Sequence, residues 1–419
     1  MRPQLKRPIR ALRAAWRRNS AVAGNRVDLL CCGEFYFPAL CEAINAANVS
    51  VRMETYIYTQ DDSGECVTRA LVEAARRGVR VQLMVDGIGT GALAEDILEM
   101  FREAGVELLV FRPIRWWRPQ RRYLRRLHRK LVVIDDQIGF IGGINIIDDL
   151  NHAPLEESGY GPRFDFAVRV EGPVVAQIVS AMRSLWARLT RPSKDGAPSL
   201  PPIESADEVA VDSQPEIAKG TVASHDDVRA ALVLRDNVRN RRAIEREYLA
   251  ALGNARHDVI IANAYFLPGR RFRRALLACR RRGVRVRLLL QGQVEYFLQH
   301  HATQALYGQL LDAGVEIYEY TDSFLHAKVA VVDELWATVG SSNIDPFSLL
   351  LAREANLVVW DAAFCASLRE SLELAMMTRS AEVAQEHHQN RSTWHRALDW
   401  MAYGMVSLGV MVSGHAGRY

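Results

Sequence analysis

Lysine, paired cysteines and long uncharged apolar stretches are all scarce in this sequence. The six cysteines are scattered and include no Cys-x-x-Cys pair. That excludes the usual zinc and disulfide frameworks and makes a reducing, cytosol-facing compartment the default. Adjacent Cys31 and Cys32 sit in an apolar run and read as buried thiols. No uncharged apolar run approaches the roughly 20 residues of a spanning helix. The N-terminus has no apolar core that would make it a secretory signal, though its Arg-rich, acid-free look is shared with transit peptides. Acid is missing too: no Asp or Glu precedes Asp28, while Arg2, Lys6, Arg7, Arg10, Arg13, Arg17 and Arg18 do. A second acid-free block, Arg112 to Lys130, holds eight Arg and one Lys. The net charge is only +4, so the positive charge is concentrated in places. Such blocks point to an anionic partner, a membrane surface or a nucleic acid.

The shortage of lysine is informative. Of 53 basic residues only five are Lys, at positions 6, 130, 194, 219 and 328. Two of them stand two residues after a histidine in twin motifs, His128-Arg-Lys130-Leu-Val-Val-Ile-Asp135 and His326-Ala-Lys328-Val-Ala-Val-Val-Asp333. Each motif runs through an apolar, strand-like segment to a glycine turn and an asparagine, Gly142-Gly143-x-Asn145 and Gly340-Ser341-x-Asn343. A compact ammonium and a planar guanidinium differ in a tight phosphate site, so Lys in an Arg-rich chain marks a specific requirement. The bland alternative is a pair of exposed lysines at strand starts.

Along the chain, residues 1–26 place Leu5, Ile9, Leu12 and Trp16 at helical spacing among arginines. This predicts a basic amphipathic segment lying on a membrane, although Pro3 and Pro8 suit a disordered tail. Alternating strand and helix patterns then occupy 27–190 and again 223–380, which predicts an α/β layer architecture. The second run repeats the first. Arg-Arg-Gly78-Val-Arg-Val returns as Arg-Arg-Gly283-Val-Arg-Val, Ala104-Gly-Val-Glu107 as Ala313-Gly-Val-Glu316, and Glu54-Thr-Tyr-Ile occupies the place of Asn263-Ala-Tyr-Phe. Two duplicated halves related by a pseudo-twofold axis, with both motifs at the interface, are the simplest arrangement. Between them 191–222 is Pro-rich and reads as a linker. In the tail, 381–419, Trp400–Val412 is uncharged and reads equally as an interfacial anchor or a docked helix.

Two histidines facing one phosphorus can divide a displacement. One attacks to give a phosphohistidine, and the other protonates the leaving oxygen and then deprotonates the incoming alcohol or water. The order stays open, with His128 favoured as nucleophile. Lys130 and Lys328 would neutralise the phosphoryl oxygens, with Asn145 and Asn343 donating hydrogen bonds to substrate. Asp135 and Asp333, at the far ends of apolar strands, suit bracing by hydrogen bonds. Asp165 and Glu354 each begin a strand downstream of a motif and are candidates to orient the imidazoles. The alternative reading of both is as surface acids.

These motifs resemble those of the phospholipase D superfamily, and the surrounding sequence resembles its bacterial cardiolipin synthases of the B type. The likeness rests on Leu127–Asp135 with Phe140–Asn145, on Ile260–Phe266 and on Trp336–Asn343, and covers roughly 25–377. It implies two phospholipase D-like α/β/α sandwich domains with the active site between them. The implied reaction passes the phosphatidyl group of one phosphatidylglycerol to the hydroxyl of another, releasing glycerol and giving cardiolipin. His128, Lys130, Asp135, His326, Lys328 and Asp333 carry over as catalytic positions, with no metal or other cofactor. The implied partners are phosphatidylglycerol and an anionic membrane, with the enzyme peripheral on the cytoplasmic face and no nucleic acid expected.

Rival readings remain. The Arg112–His128 block interleaves Trp and Tyr with Arg, which suits lipid headgroups but also single-stranded nucleic acid. A phospholipase D-type hydrolase or nuclease is therefore the leading alternative. A catalytically dead membrane tether would have no need of twin His-x-Lys motifs. A metal-dependent alcohol phosphotransferase needs clustered acids, and adjacent pairs such as Asp61-Asp62 and Asp148-Asp149 diverge.

Overall fold

A computed structural model describes residues 20–113, 125–151, 160–191, 223–236, 240–345, 352–386 and 390–410. The expected N-terminal amphipathic helix, most of the Arg112–Lys130 block and nearly all of the linker lie outside these residues.

In the first half β1 (Val22–Cys31) leads into α1 (Cys32–Asn45), then β2 (Ser50–Thr55), α2 (Asp62–Arg76), β3 (Arg80–Asp86), α3 (Glu95–Ala104) and β4 (Glu107–Phe111). The short β5 (Arg126–Leu127) precedes the hairpin of β6 (Lys130–Ile134) and β7 (Ile138–Gly142), then β8 (Phe166–Glu171) and α4 (Val175–Thr190). The second half repeats the order. It has β9 (Ala223–Arg235), α5 (Ala243–Asn254), β10 (Asp258–Asn263), α6 (Arg270–Arg281), β11 (Arg285–Gln291), α7 (Phe297–Leu311) and β12 (Glu316–Tyr320). The hairpin β13 (Lys328–Val332) and β14 (Trp336–Gly340), then β15 (Ala352–Trp360) and α8 (Ala362–Thr378), complete the repeat. The short β16 (Ser380–Glu382) and α9 (Thr393–Val410) follow it.

The local causes are ordinary. Asp61 caps α2 by accepting from the Gly64 amide at 3.0 Å, and α3 ends on Gly105 in the left-handed conformation, φ +80°. The strands of each motif hairpin are buried along their length, as near-continuous apolar runs predict.

The two halves do not form separate sheets. β1 pairs antiparallel with β9, and the strand order β4-β3-β2-β6-β7-β8-β1-β9-β15-β14-β13-β10-β11-β12-β16 runs unbroken across the pseudo-dyad. One face of this sheet carries a core shared by both halves, from Val27, Phe166 and Val168 through Leu325 and Val329 to Leu357 and Phe364. On the other face each half keeps its own core, around Leu71, Leu83 and Phe101 in one and Leu276, Leu288 and Leu310 in the other. Helices thus cover both faces, giving the three-layered duplicated α/β fold.

Two expected boundaries move. β1 begins at Val22, inside the segment assigned to the N-terminal helix, because Val22 pairs with Ala230. The tail is not separate either: β16 adds to the sheet edge through Tyr318↔Glu382, and α9 packs on α7.

Candidate active site

Each motif histidine stands at the start of a hairpin strand, on the edge of the sheet where the parallel strands β2 and β3, or β10 and β11, end. The halves are laced together at this edge. His128 N donates to Arg353 O at 3.0 Å beside the β5–β15 pairing, and His326 N donates to Phe164 O at 2.8 Å. Each histidine backbone therefore runs alongside the strand start that carries the other half's carboxylate.

The side chains cross in the same way. His128 Nδ1 lies 3.0 Å from both carboxylate oxygens of Glu354, and His326 Nδ1 lies 2.6 Å from Asp165 Oδ2. Both carboxylates are essentially buried, while the imidazoles keep 15% and 18% of their side-chain surface. With Nδ1 held, Nε2 is the nitrogen left on the opposite edge of each ring. Tyr56 meets the His128 ring edge-on at 4.8 Å between centroids.

The lysines sit deeper. Lys130 Nζ donates to the His128 carbonyl at 2.9 Å and lies 5.5 Å from the centre of the Tyr56 ring. Lys328 Nζ donates to the His326 carbonyl and stands 3.9 Å from Asp165 Oδ2. Each ammonium retains further N–H donors for an anion.

Burial lowers Lys130 to about 7 and Lys328 to about 8, against partial recovery from Glu354 and Asp165. It also holds His128 below the usual imidazole value, and the neighbouring lysines help push His326 well below it. The His128 charge is among those felt by His326, so the rings belong to one electrostatic cluster. Asp165 is raised to about 6 by burial, in spite of Lys328. Burial would raise Glu354 too, but His128, Arg235 and Lys130 outweigh it and hold it below the usual range.

The carboxylate supports differ between the halves. Gly143 leaves room for Asp165: a Cβ there would stand 2.3 Å from Asp165 Oδ1. At the matching position Ser341 Oγ donates to Glu354 Oε2 at 2.5 Å, and the buried Arg235 guanidinium lies 3.5 Å from Glu354 Oε1. The Gly143/Ser341 mismatch between the motifs was a visible signal of this difference. The arginine closing the apolar strand Ala230–Leu234 was another.

Asp135 and Asp333, implied as catalytic by the resemblance, each accept hydrogen bonds from three backbone amides. Asp135 accepts from the amides of Asn48, Val49 and Ser50 at 2.8, 2.8 and 2.7 Å. Asp333 accepts from Arg256, His257 and Asp258 at 2.9, 2.8 and 3.0 Å. Both have positive φ, +52° and +51°, a conformation Asp tolerates better than most residues. Five residues of strand put them about 17 Å from the lysines, so they fasten the turns entering β2 and β10. Asn145 Oδ1 accepts from Ile57 N at 3.2 Å, and buried Asn343 borders a crevice with Tyr248 and Phe272. Among the described residues no group of three or more His, Cys, Asp or Glu is arranged to hold a metal.

A duplicated α/β fold with its two His-x-Lys motifs laced across the dyad is the architecture of the phospholipase D superfamily. Within it, the chain belongs to the cardiolipin synthase family: the family model described as "Cardiolipin synthase, PLD-like domain" matches residues 40–156 and 248–376. Cardiolipin synthase B of Escherichia coli (strain K12) is 36% identical over 94% of this chain and 89% of its own. Cardiolipin synthase 1 of Bacillus anthracis is 29% identical over 88% of this chain and 70% of its own. The crystal structure of phosphatidylserine synthase from Haemophilus influenzae Rd KW20 superposes with a TM-score of 0.64 over 98% of both chains. At 12% identity, that is a likeness of fold.

Proposed function

We propose that this enzyme makes cardiolipin by moving the phosphatidyl group of one phosphatidylglycerol onto the hydroxyl of a second, with release of glycerol. The observation that supports the reading is the crossed pairing of His128 with Glu354 and His326 with Asp165, which ties each imidazole to a carboxylate of the other half.

In the first step Nε2 of one histidine, favoured as His128, attacks phosphorus. The N–P bond forms as the P–O bond to glycerol breaks, and glycerol leaves with a proton from the other imidazole. In the second step that imidazole, now neutral, takes the proton of the incoming hydroxyl, whose oxygen displaces the histidine. The carboxylates fix the tautomer and stabilise the imidazolium that forms.

Burial and mutual repulsion hold the two imidazoles and the two lysines below their usual values, so their cationic forms are disfavoured. An anionic phosphodiester opposes this effect, favouring the ammonium forms of Lys130 and Lys328 and the protonated imidazole that the leaving group needs. Asn145, whose Oδ1 accepts from the Ile57 amide, and Asn343 are assigned to substrate binding. Asp135 and Asp333 hold the strands that present the lysines. The enzyme acts peripherally at the cytoplasmic face of the membrane, on phosphatidylglycerol and not on nucleic acid.

Mass spectrometry of lipids from cells expressing the chain, against a His128→Ala control, tests this. Cardiolipin that accumulates only with the intact site supports it. Phosphatidic acid in its place, or cleavage of DNA by purified enzyme without any lipid product, would replace it with the hydrolase or nuclease reading.

A further inference from the structure

Helix α9 is built inside out. Its inward stripe contains Asp399, only 2% exposed, together with Ala402 and Val406. Asp399 is held by His301 Nδ1 of α7 at 2.7 Å and by Arg391 at 2.8 Å. The outward face carries Trp394, Trp400, Met401, Met405 and Leu408, between 51% and 69% exposed. A helix docked simply to finish a globular fold would turn its acid outward and its tryptophans inward. Here the charge is spent on anchoring and the apolar face is left without a protein partner among the described residues.

This face is not isolated. Where β11 runs into α7, Val294, Tyr296 and Phe297 are 50%, 56% and 60% exposed. The same loop reaches the active site: Tyr296 packs against Tyr265 at 5.7 Å, and Glu295 is among the charges felt by Lys328. On the other flank, exposed Arg270, Arg271 and Arg274 of α6 sit beside Arg273, whose guanidinium contacts the Tyr403 ring and hydroxyl of α9.

We propose that the outer face of α9 and the loop entering α7 form a membrane-docking surface, seated in the interfacial zone of an anionic bilayer. The arginines of α6 would lie against lipid headgroups. Tryptophan at such a boundary, a basic flank and continuity with the site mouth all select lipid over a protein partner. The inference rests on the lipid-transfer reading for the orientation of the mouth, but the docking itself is separable from the chemistry.

The test uses the full chain and the variant Trp400→Ser/Met405→Ser/Leu408→Ser. Binding is measured by sedimentation with phosphatidylglycerol/phosphatidylcholine vesicles and by quenching of tryptophan with brominated lipid. Turnover of a short-chain phosphatidylglycerol dispersed as monomers checks that the variant is folded. Burial of three large apolar side chains predicts vesicle binding weaker by on the order of 100-fold, loss of quenching, and unchanged turnover of the monomeric lipid.

Wild-type vesicle binding by the variant would overturn the proposal, as would a wild-type dimer that the variant splits without losing vesicles. A wild type that docks through this face yet makes no cardiolipin would leave docking standing and remove the transfer reading.

Discussion

Lys130→Met offers a stability test of how the site is built. Burial lowers Lys130 from an ordinary 10.5 to about 7. A base depressed by folding binds its proton more weakly in the native state, so the penalty is complete below about pH 7 and fades as pH rises toward its unfolded value. At about 1.4 kcal/mol per pH unit, the cost is about 4 kcal/mol at about pH 7 and about 2 kcal/mol at about pH 9. Methionine keeps the stem and removes the charge. It also loses the bond to the His128 carbonyl and the contact with Tyr56, together worth about 1–2 kcal/mol at either pH. The variant should therefore unfold at higher urea than wild type at about pH 7, and the advantage should shrink by about 2 kcal/mol at about pH 9. Turnover should be lost throughout. A variant less stable than wild type at the lower pH, or a difference independent of pH, would refute the reasoning.

Arg129, between the motif His and Lys, holds buried Glu54 through two bonds, one of them 2.7 Å. Arg129→Met should strand that carboxylate and cost about 3–5 kcal/mol by urea titration; a change below about 1 kcal/mol would mean the pair is solvated. Asp135→Ala removes the acceptor of three amides and should cost about 2–4 kcal/mol. The specific activity of the folded fraction should stay near wild type, and a total loss would return Asp135 to the catalytic set. The pH profile of kcat/KM should be bell-shaped. It falls below about 6, where Asp165 gains a proton and releases His326, and on the basic side from about 7 to about 8, where Lys130 and then Lys328 lose their charge. In a profile for Asp165→Asn the acid limb set by that carboxylate should disappear, and its persistence would assign the limb elsewhere.

Much of the fold was legible because duplication doubles every signal. The glycines at 78 and 283 mark the same helix ends, and the buried hairpins could be read from apolar runs bounded by the motif Lys and Asp. The pairing of β1 with β9 was not legible, since strand partners across a linker depend on tertiary contacts that leave no periodicity. The same holds for the crossing of Asp165 and Glu354, whose candidacy came from position after each motif and whose partners came only from the β5–β15 and Phe164–Leu325 lacing. Asp135 and Asp333 entered the catalytic set through the family resemblance, although their place at the far ends of the strands already suited bracing, since an extended strand carries its two ends apart. In α9 the composition left two readings open, and the inward Asp399 shows that the helix is docked.

The central claim is that two imidazoles, each gripped at Nδ1 by the other half's carboxylate, act on one phosphorus through Nε2. Rapid acid-free quenching of enzyme with labelled phosphatidylglycerol, followed by peptide mapping and phosphorus NMR, reads the linkage directly. The account predicts a phosphatidyl group on Nε2 of His128 or His326, absent from the variant lacking that histidine. A label on Nδ1, on any other residue, or no covalent intermediate during active turnover would contradict it.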